Sequence, residues 1–230
     1  MNKVTWIIFG AAIVLILGGL VVYSHASNPS LDVSKIDANS TISANAQNGQ
    51  IADHVYGKAD SKVVLIEYGD FQCPSCGAVH PQIKAATEAY KDKVAFIFRN
   101  FPLTTIHPNA RAAAAAAEAA GLQGRYWDMH NLLYSSQTSW ENQTGDQRTA
   151  TFVGYAGELG IDEAKFKIDL ASTAVNSKIS FDQALGKKIN INATPTFYLD
   201  GTQLSAADSG QIVQGSTTVL TGLFDKALAQ

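Results

Sequence analysis

Residues 63–76 have the sequence VVLIEYGDFQCPSC, and this stretch decides the predicted fold. Its apolar, β-branched first half predicts a buried strand that ends at Gly69 and Asp70. Two cysteines follow at once and open a helix that is predicted to run from about residue 73 to 90. A Cys-x-x-Cys pair says little alone, but its place between a strand and a helix is informative.

Cys73 and Cys76 are the only two cysteines of the chain. Cys73 lies at the start of the helix, where free N–H groups and the helix dipole stabilise a thiolate. The helix end alone predicts that the Cys73 pKa falls by about one unit or somewhat more. Pro74 suits the first helical position, because its missing N–H is not needed there. Cys76 lies a turn deeper, so Cys73 is the predicted accessible nucleophile and Cys76 the shielded partner.

Two other interpretations of the cysteine pair stay open: an inert disulfide, and half of a zinc site that histidines complete. Neither is favoured, because so short a loop constrains the unfolded chain little and no second ligand pair has suitable spacing. His80 follows Cys76 by four residues on the same side of the helix, and we expect it to pack rather than to tune the thiols.

Two further residues have chemical interest. Glu67 lies within the apolar strand, where a buried carboxylate without a cationic partner would have a raised pKa and could exchange a proton with a thiol. An exposed position on a strand edge is the alternative. Pro195 precedes a second apolar stretch, a place where a cis bond can occur, although the residues alone favour trans.

The rest of the chain predicts an α/β fold. Residues 94–99 predict a strand parallel to the first, because a helical crossover joins the two. Residues from about 107 to 186 have helical character. Residues 196–199 return to strand character before a hairpin turn at Asp200-Gly201. Residues 216–230 predict a closing helix with one apolar face.

The N-terminus predicts export. Residues 6–23, WIIFGAAIVLILGGLVVY, are free of charge and long enough to cross a bilayer. We expect residues 1–26 to form a transmembrane anchor with its N-terminus in the cytoplasm, since Lys3 precedes the apolar run. A signal peptide cleaved after residue 26 is the alternative. Polar residues 27–50 predict a flexible linker.

The net charge of the 230 residues is −3, so no basic excess exists to neutralise phosphates. We therefore expect no nucleic-acid partner.

Four segments together resemble one family, the DsbA-like thiol–disulfide oxidoreductases of the thioredoxin superfamily. The resemblance covers residues 51–230 and is carried by residues 64–76, by the lead-in 51–60, by residues 112–130 and by 193–198. It implies a thioredoxin-like fold with an inserted helical subdomain at about residues 103–186.

The resemblance also implies roles for single residues. Pro195 would be cis and close to Cys73, and the backbone of Thr194 would bind an extended substrate segment. Glu67 would be the buried acid that relays protons. Pro74 and Ser75 would tune the thiols. Because Ser75 stands where the most oxidising relatives have His, Cys73 is expected to be less acidified than in those relatives. Ala193 stands where many relatives have Gly.

The implied function is a membrane-anchored extracytoplasmic oxidase, on the periplasmic or cell-wall side, that acts through Cys73 and Cys76. Its expected partners are exported proteins with cysteine thiols and a quinone-linked membrane redox protein. We expect a monomer that needs neither a bound cofactor nor a metal. A reductase or isomerase is the alternative within the class, and a tethered chaperone without redox turnover is the alternative outside it.

Overall fold

The computed structural model describes residues 31–230, which build one mixed sheet covered by helices. The sheet has the order β1-β3-β2-β4-β5. Its strands are β1 (Val55–Gly57), β2 (Val64–Gly69), β3 (Ala95–Asn100), β4 (Thr196–Leu199) and β5 (Thr202–Gln203). β2 and β3 are parallel, as predicted, and every other neighbouring pair is antiparallel.

The predicted strand–helix–strand unit is the centre of the fold. Helix α1 (Pro74–Ala89) connects β2 to β3, and nearly every residue of these two strands is buried. Continuous apolar strands are typical of a sheet that is covered on both faces. The cysteine pair therefore lies directly beyond the carboxyl end of the central strand.

Six helices lie between β3 and β4, which confirms the predicted helical insertion. They are α2 (Ala110–Gly121), α3 (Tyr126–Ser135), α4 (Gln137–Trp140), α5 (Gly145–Glu158), α6 (Glu163–Leu170) and α7 (Thr173–Lys188). Helix α5 begins at Gly145, because Thr144 and Gln147 form a capping box there.

Two helices close the chain, α8 (Ala206–Val213) and α9 (Thr217–Leu228), and both pack on α1. The sequence prediction missed α8. Helix α9 buries Leu220 and Phe224, two residues of the predicted apolar face.

The predicted flexible linker is wrong over residues 33–50. This segment packs on the domain and buries Val33, Ala38, Ile42 and Asn48. The ammonium of Lys188, at the end of α7, donates to the carbonyls of Val33, Ser34 and Ile36 at 3.1, 2.8 and 2.6 Å. A polar composition predicted a linker, but the backbone of the segment finds partners far away in the chain.

A buried charge cluster joins this segment to the sheet and to the insertion. The Arg99 guanidinium lies 2.7 Å from Asp53 and also donates to the Ala38 carbonyl. Lys178 contacts Asp53 at 2.8 Å and Asp182 at 2.7 Å. Burial alone would raise the pKa of Asp53, but Lys178 and Arg99 hold it well below its usual range.

The predicted membrane anchor, residues 1–26, lies outside the described residues. Among the helices of residues 31–230, none combines the length and the apolar character needed to cross a bilayer.

Candidate active site

Cys73 occupies the N-cap of α1, the position that its sequence context predicted. Its backbone is extended, with φ −68° and ψ 122°, and Pro74 begins the helix. The Cys73 N–H donates to the Asp70 carbonyl at 3.0 Å, and the Cys73 carbonyl accepts from the Gly77 N–H at 3.1 Å. The strand end and the first helical turn therefore fix the backbone of the nucleophile from both sides.

Both cysteines are free thiols in this structure. Cys76 is completely buried and Cys73 is 6% exposed, so the order of exposure agrees with the sequence prediction. Cys73 is nevertheless less accessible than we expected. Its Sγ donates to the Thr194 carbonyl at 3.4 Å, and the loop that carries Thr194 covers it. Pro74 and Ser75 are exposed beside it.

The pKa of Cys73 is lowered from 9.0 to about 5. A hydrogen bond from the Cys76 thiol is the largest cause and burial opposes it. The Thr194 side chain and the N–H groups of Cys76 and Ser75 add to the lowering. The shift exceeds the one unit that the helix end alone predicted. The difference arises because several donors converge on one sulfur.

The pKa of Cys76 moves the other way, well above its usual value. Burial is the main cause, and the hydrogen bond to Cys73 and the charges of Glu67 and Cys73 add to it. At neutral pH the pair therefore holds one thiolate, on Cys73, and one thiol, on Cys76. Two titratable neighbours whose pKa values are driven apart are typical of a site with divided chemical roles.

Glu67 lies in the middle of the sheet and not on an exposed edge. It faces Phe98 of β3 and Phe197 of β4 in register, and only 3% of it is exposed. Burial raises its pKa to about 8, and the charge of Cys73 adds to the shift. Within residues 31–230 its carboxyl group has no ion-pair partner, so it carries a proton at neutral pH.

The Thr194-Pro195 bond is cis, as the resemblance implied, and both residues are half-buried. The hydrogen bond between Cys73 and Thr194 places this loop against the redox pair. The structure thus brings together residues that lie more than a hundred positions apart in the chain.

His80, the histidine one turn after Cys76, packs in the core. His80 is buried, and its ring centroid lies 5.0 Å from that of Tyr134. Burial lowers the pKa of His80 to about 4, so the ring is neutral and packs, as the sequence predicted. No group of three or more metal-ligating side chains comes together within residues 31–230.

Sequence reasoning missed two residues that support the site. Asp70 is buried and accepts from the Leu103 N–H at 2.8 Å, while Nδ1 of His107 lies 2.7 Å from the same carboxylate. Gln137 donates from the insertion to the backbone carbonyls of Phe71 and Cys73. Hydrogen bonds between a side chain and a distant backbone leave no pattern in a sequence.

The fold agrees with the resemblance drawn from the sequence, a thioredoxin-like unit with a helical insertion, and the structure places the cysteine pair beside the cis-proline loop as that resemblance implied. The chain belongs to the thioredoxin family, because the family model described as thioredoxin matches residues 49–214.

Solved structures share the fold. Oxidised BdbD from Bacillus subtilis has a TM-score of 0.65 at 24% identity and covers 83% of this chain and 98% of its own. MdbA, a thiol-disulfide oxidoreductase from Actinomyces oris, has a TM-score of 0.65 at 16% identity. The match covers 81% of this chain and 96% of MdbA. The thiol-disulfide exchange protein alpha-DsbA2 from Wolbachia pipientis has a TM-score of 0.62 at 21% identity. The match covers 76% of this chain and 87% of alpha-DsbA2.

Curated relatives include much longer proteins. A Na(+)/H(+) antiporter NhaA 1 from Salinispora arenicola is 38% identical over 149 residues, which are 65% of this chain and 22% of the antiporter. A Na(+)/H(+) antiporter NhaA 3 from Salinispora tropica is 36% identical over the same share of each chain. The chain spans about a fifth of these relatives, so the similarity concerns one part of each antiporter.

Proposed function

We propose that this protein is a membrane-anchored, extracytoplasmic oxidase that introduces disulfides into exported proteins. The observation that carries the proposal is the opposite displacement of the Cys73 and Cys76 pKa values. A stabilised Cys73 thiolate favours the reduced enzyme, and a disulfide whose reduced form is favoured is a strong oxidant.

The reaction starts from the oxidised enzyme, in which Cys73 and Cys76 form a disulfide. A substrate thiolate attacks Sγ of Cys73, because Cys73 is partly exposed and Cys76 is completely buried. The enzyme disulfide breaks, a mixed disulfide forms, and Cys76 leaves with the electron pair. A second substrate thiolate then attacks the substrate sulfur of the mixed disulfide, and Cys73 leaves as a thiolate. The substrate loses two electrons, and the enzyme gains them.

The leaving groups match the two steps. Cys73 is a good leaving group in the second step, because its thiolate is stable near neutral pH. Cys76 needs a proton when it leaves, because its buried thiolate is unstable. The protonated, buried Glu67 is the proposed donor of that proton, and it would recover it from water afterwards.

The loop at Thr194 and Pro195 is the proposed substrate-binding edge. An extended substrate segment would pair with the Thr194 backbone as a short added strand and bring its cysteine to Cys73. The exposed Pro74 and Ser75 would contact the same segment. The two sulfurs carry the electrons, so the proposal includes no bound cofactor or metal.

The anchor and the redox partner belong to the same proposal. Residues 1–26 would hold the domain at the membrane, and a quinone-linked membrane protein would reoxidise the cysteine pair. We expect the protein to act as a monomer.

The decisive experiment is a redox equilibrium of the purified protein with glutathione, together with oxidation of a reduced, unfolded substrate. An oxidase has a potential well above the value of about −270 mV that is typical of thioredoxin. A potential near that value would support the reductase alternative. If the Cys73→Ser variant kept its full activity in binding an unfolded substrate, the chaperone alternative would be supported.

A further inference from the structure

Gln137 reaches from the helical insertion to the backbone of residues 70–73, the segment between β2 and α1 that is called the redox loop below. Its side-chain Nε2 donates to the Phe71 carbonyl at 2.7 Å and to the Cys73 carbonyl at 3.0 Å. Only 9% of the residue is exposed. One amide group therefore joins the loop that follows β2 to the N-cap of α1.

The position of Gln137 is itself fixed from the other end of α4. Trp140 is completely buried and donates from Nε1 to the Leu133 carbonyl at 2.9 Å. The Gln72 side chain returns from the redox loop and donates to the Glu141 carbonyl at 2.7 Å. The loop and α4 thus hold each other through hydrogen bonds in both directions.

Gly77 permits this close approach. A Cβ atom added at residue 77 would lie 2.5 Å from Oε1 of Gln137, a separation that real side chains do not tolerate. The glycine lies one turn after Cys73 and donates to the same Cys73 carbonyl. The first turn of α1 and Gln137 are therefore fitted to each other.

We propose that Gln137 is a positioning residue for Cys73: by holding the Cys73 carbonyl, it fixes the direction of the Cys73 side chain at the N-terminus of α1, where the helix dipole stabilises a thiolate. The Cys73 carbonyl belongs to the peptide plane that leads into Pro74. When this plane is fixed, the direction in which the Cys73 side chain leaves the helix end is fixed too. The consequence for oxidising strength rests on the proposed function.

The test compares Gln137→Met with Gln183→Met. Methionine keeps the length and volume of glutamine but removes its donors and acceptor. Gln183 is a matched control, because it also donates from the insertion to a core carbonyl, that of Pro102, at 2.9 Å. Thiolate absorbance gives the Cys73 pKa, a glutathione equilibrium gives the redox constant, and denaturant unfolding gives the stability of each variant.

We expect Gln137→Met to raise the Cys73 pKa by about half a unit to one unit and to shift the glutathione constant toward the disulfide about three- to tenfold. Gln183→Met should lose similar stability without either change. If Gln137→Met loses stability but keeps both pKa and redox constant, Gln137 is a structural brace and the proposal fails.

If Gln137→Met does not fold, Gln137→Asn provides the same comparison, because its shorter side chain withdraws the amide from both carbonyls. An unchanged Cys73 pKa in a folded Gln137→Asn protein would also overturn the proposal. Absence of thiol exchange in the unaltered protein would refute the proposed function instead, while the thiolate titration would still report on Gln137.

Discussion

In its protonated form the Cys73 thiol donates a hydrogen bond to the carbonyl of Thr194, a residue 121 positions away in the chain, at 3.4 Å. The contact joins the N-cap of α1 to the loop before β4. It places the nucleophile against the loop that we propose as the substrate-binding edge.

Replacement of Ser75 by His should make the protein a stronger oxidant. Ser75 is exposed beside Cys73, and an imidazolium there would add a full positive charge that stabilises the thiolate. We expect the Cys73 pKa to fall below about 5 and the glutathione equilibrium to shift toward the reduced enzyme. Ser75→Ala is the control that changes the side chain without adding charge. Unaltered pKa and equilibrium in Ser75→His would contradict this electrostatic account.

Replacement of Cys76 by Ala should raise the Cys73 pKa, because the Cys76 thiol is the largest cause of its lowering. A hydrogen bond to a charged group is worth about 1.5–3 kcal/mol, which corresponds to about one to two pKa units. Alkylation of the variant across a pH series, followed by mass spectrometry, measures the midpoint. In the unaltered reduced protein Cys73 should react with a midpoint near pH 5, and Cys76 should react far more slowly at neutral pH. Equal labelling of both cysteines would refute their assigned roles.

Replacement of Glu67 by Gln should remove a pH dependence of stability. The folded protein keeps the Glu67 proton up to about pH 8, whereas the unfolded chain loses it near 4.5. Between these values the folded state binds more protons, so the free energy of unfolding falls as pH rises, by about 3 kcal/mol between pH 4.5 and 7. Denaturant unfolding of both reduced proteins at pH 5 and pH 7.5 measures the difference. A slope that persists unchanged in Glu67→Gln would exclude Glu67 as its source.

Glu67→Gln should also slow the redox reaction more than it changes the equilibrium, since it removes the proposed proton donor for Cys76. Stopped-flow measurement of substrate oxidation tests this role separately from stability.

Replacement of Lys178 by Met should destabilise the protein by about 3–5 kcal/mol, because it leaves the buried Asp182 carboxylate without its cation and Asp53 with Arg99 alone. Lys91→Met is the control. Lys91 pairs with Glu88 at 2.7 Å on the surface, where such a pair is worth about 0–1 kcal/mol. Chemical unfolding should show a much larger loss in the free energy of unfolding for Lys178→Met than for Lys91→Met. Equal losses in the two variants would argue against a dominant role for the buried charge cluster.

A protein that starts at residue 51 should be less stable than one that starts at residue 31. Removal of residues 31–50 would leave the Lys188 ammonium without three carbonyl partners. It would also expose the apolar surface that Val33 and Ile42 cover. Thermal unfolding of the two proteins compares them directly. If both unfold at the same temperature, residues 31–50 contribute no stability and the sequence prediction of a linker is restored.

The sequence by itself determined the central unit of this protein. The apolar strand, the helix that begins at Cys73 and the second strand follow from local patterns of residue type, and so do the long helices between residues 110 and 188. Local propensity and burial period act over a few residues, which is why they can be recognised in a single sequence. The same locality places Cys73 at a helix N-terminus and predicts the direction of its pKa shift.

Only the tertiary structure decided the rest. The burial of Glu67 depends on strands β3 and β4 lying on both sides of it, and the full lowering of the Cys73 pKa depends on Cys76 and on Thr194 from a distant loop. Residues 33–50 resembled a linker because their polar groups gave no sign of Arg99 and Lys188, which satisfy the segment's carbonyls. Gln137 was missed for the same physical reason: its partners are backbone carbonyls, which every residue has, so only the folded chain selects which of them it binds.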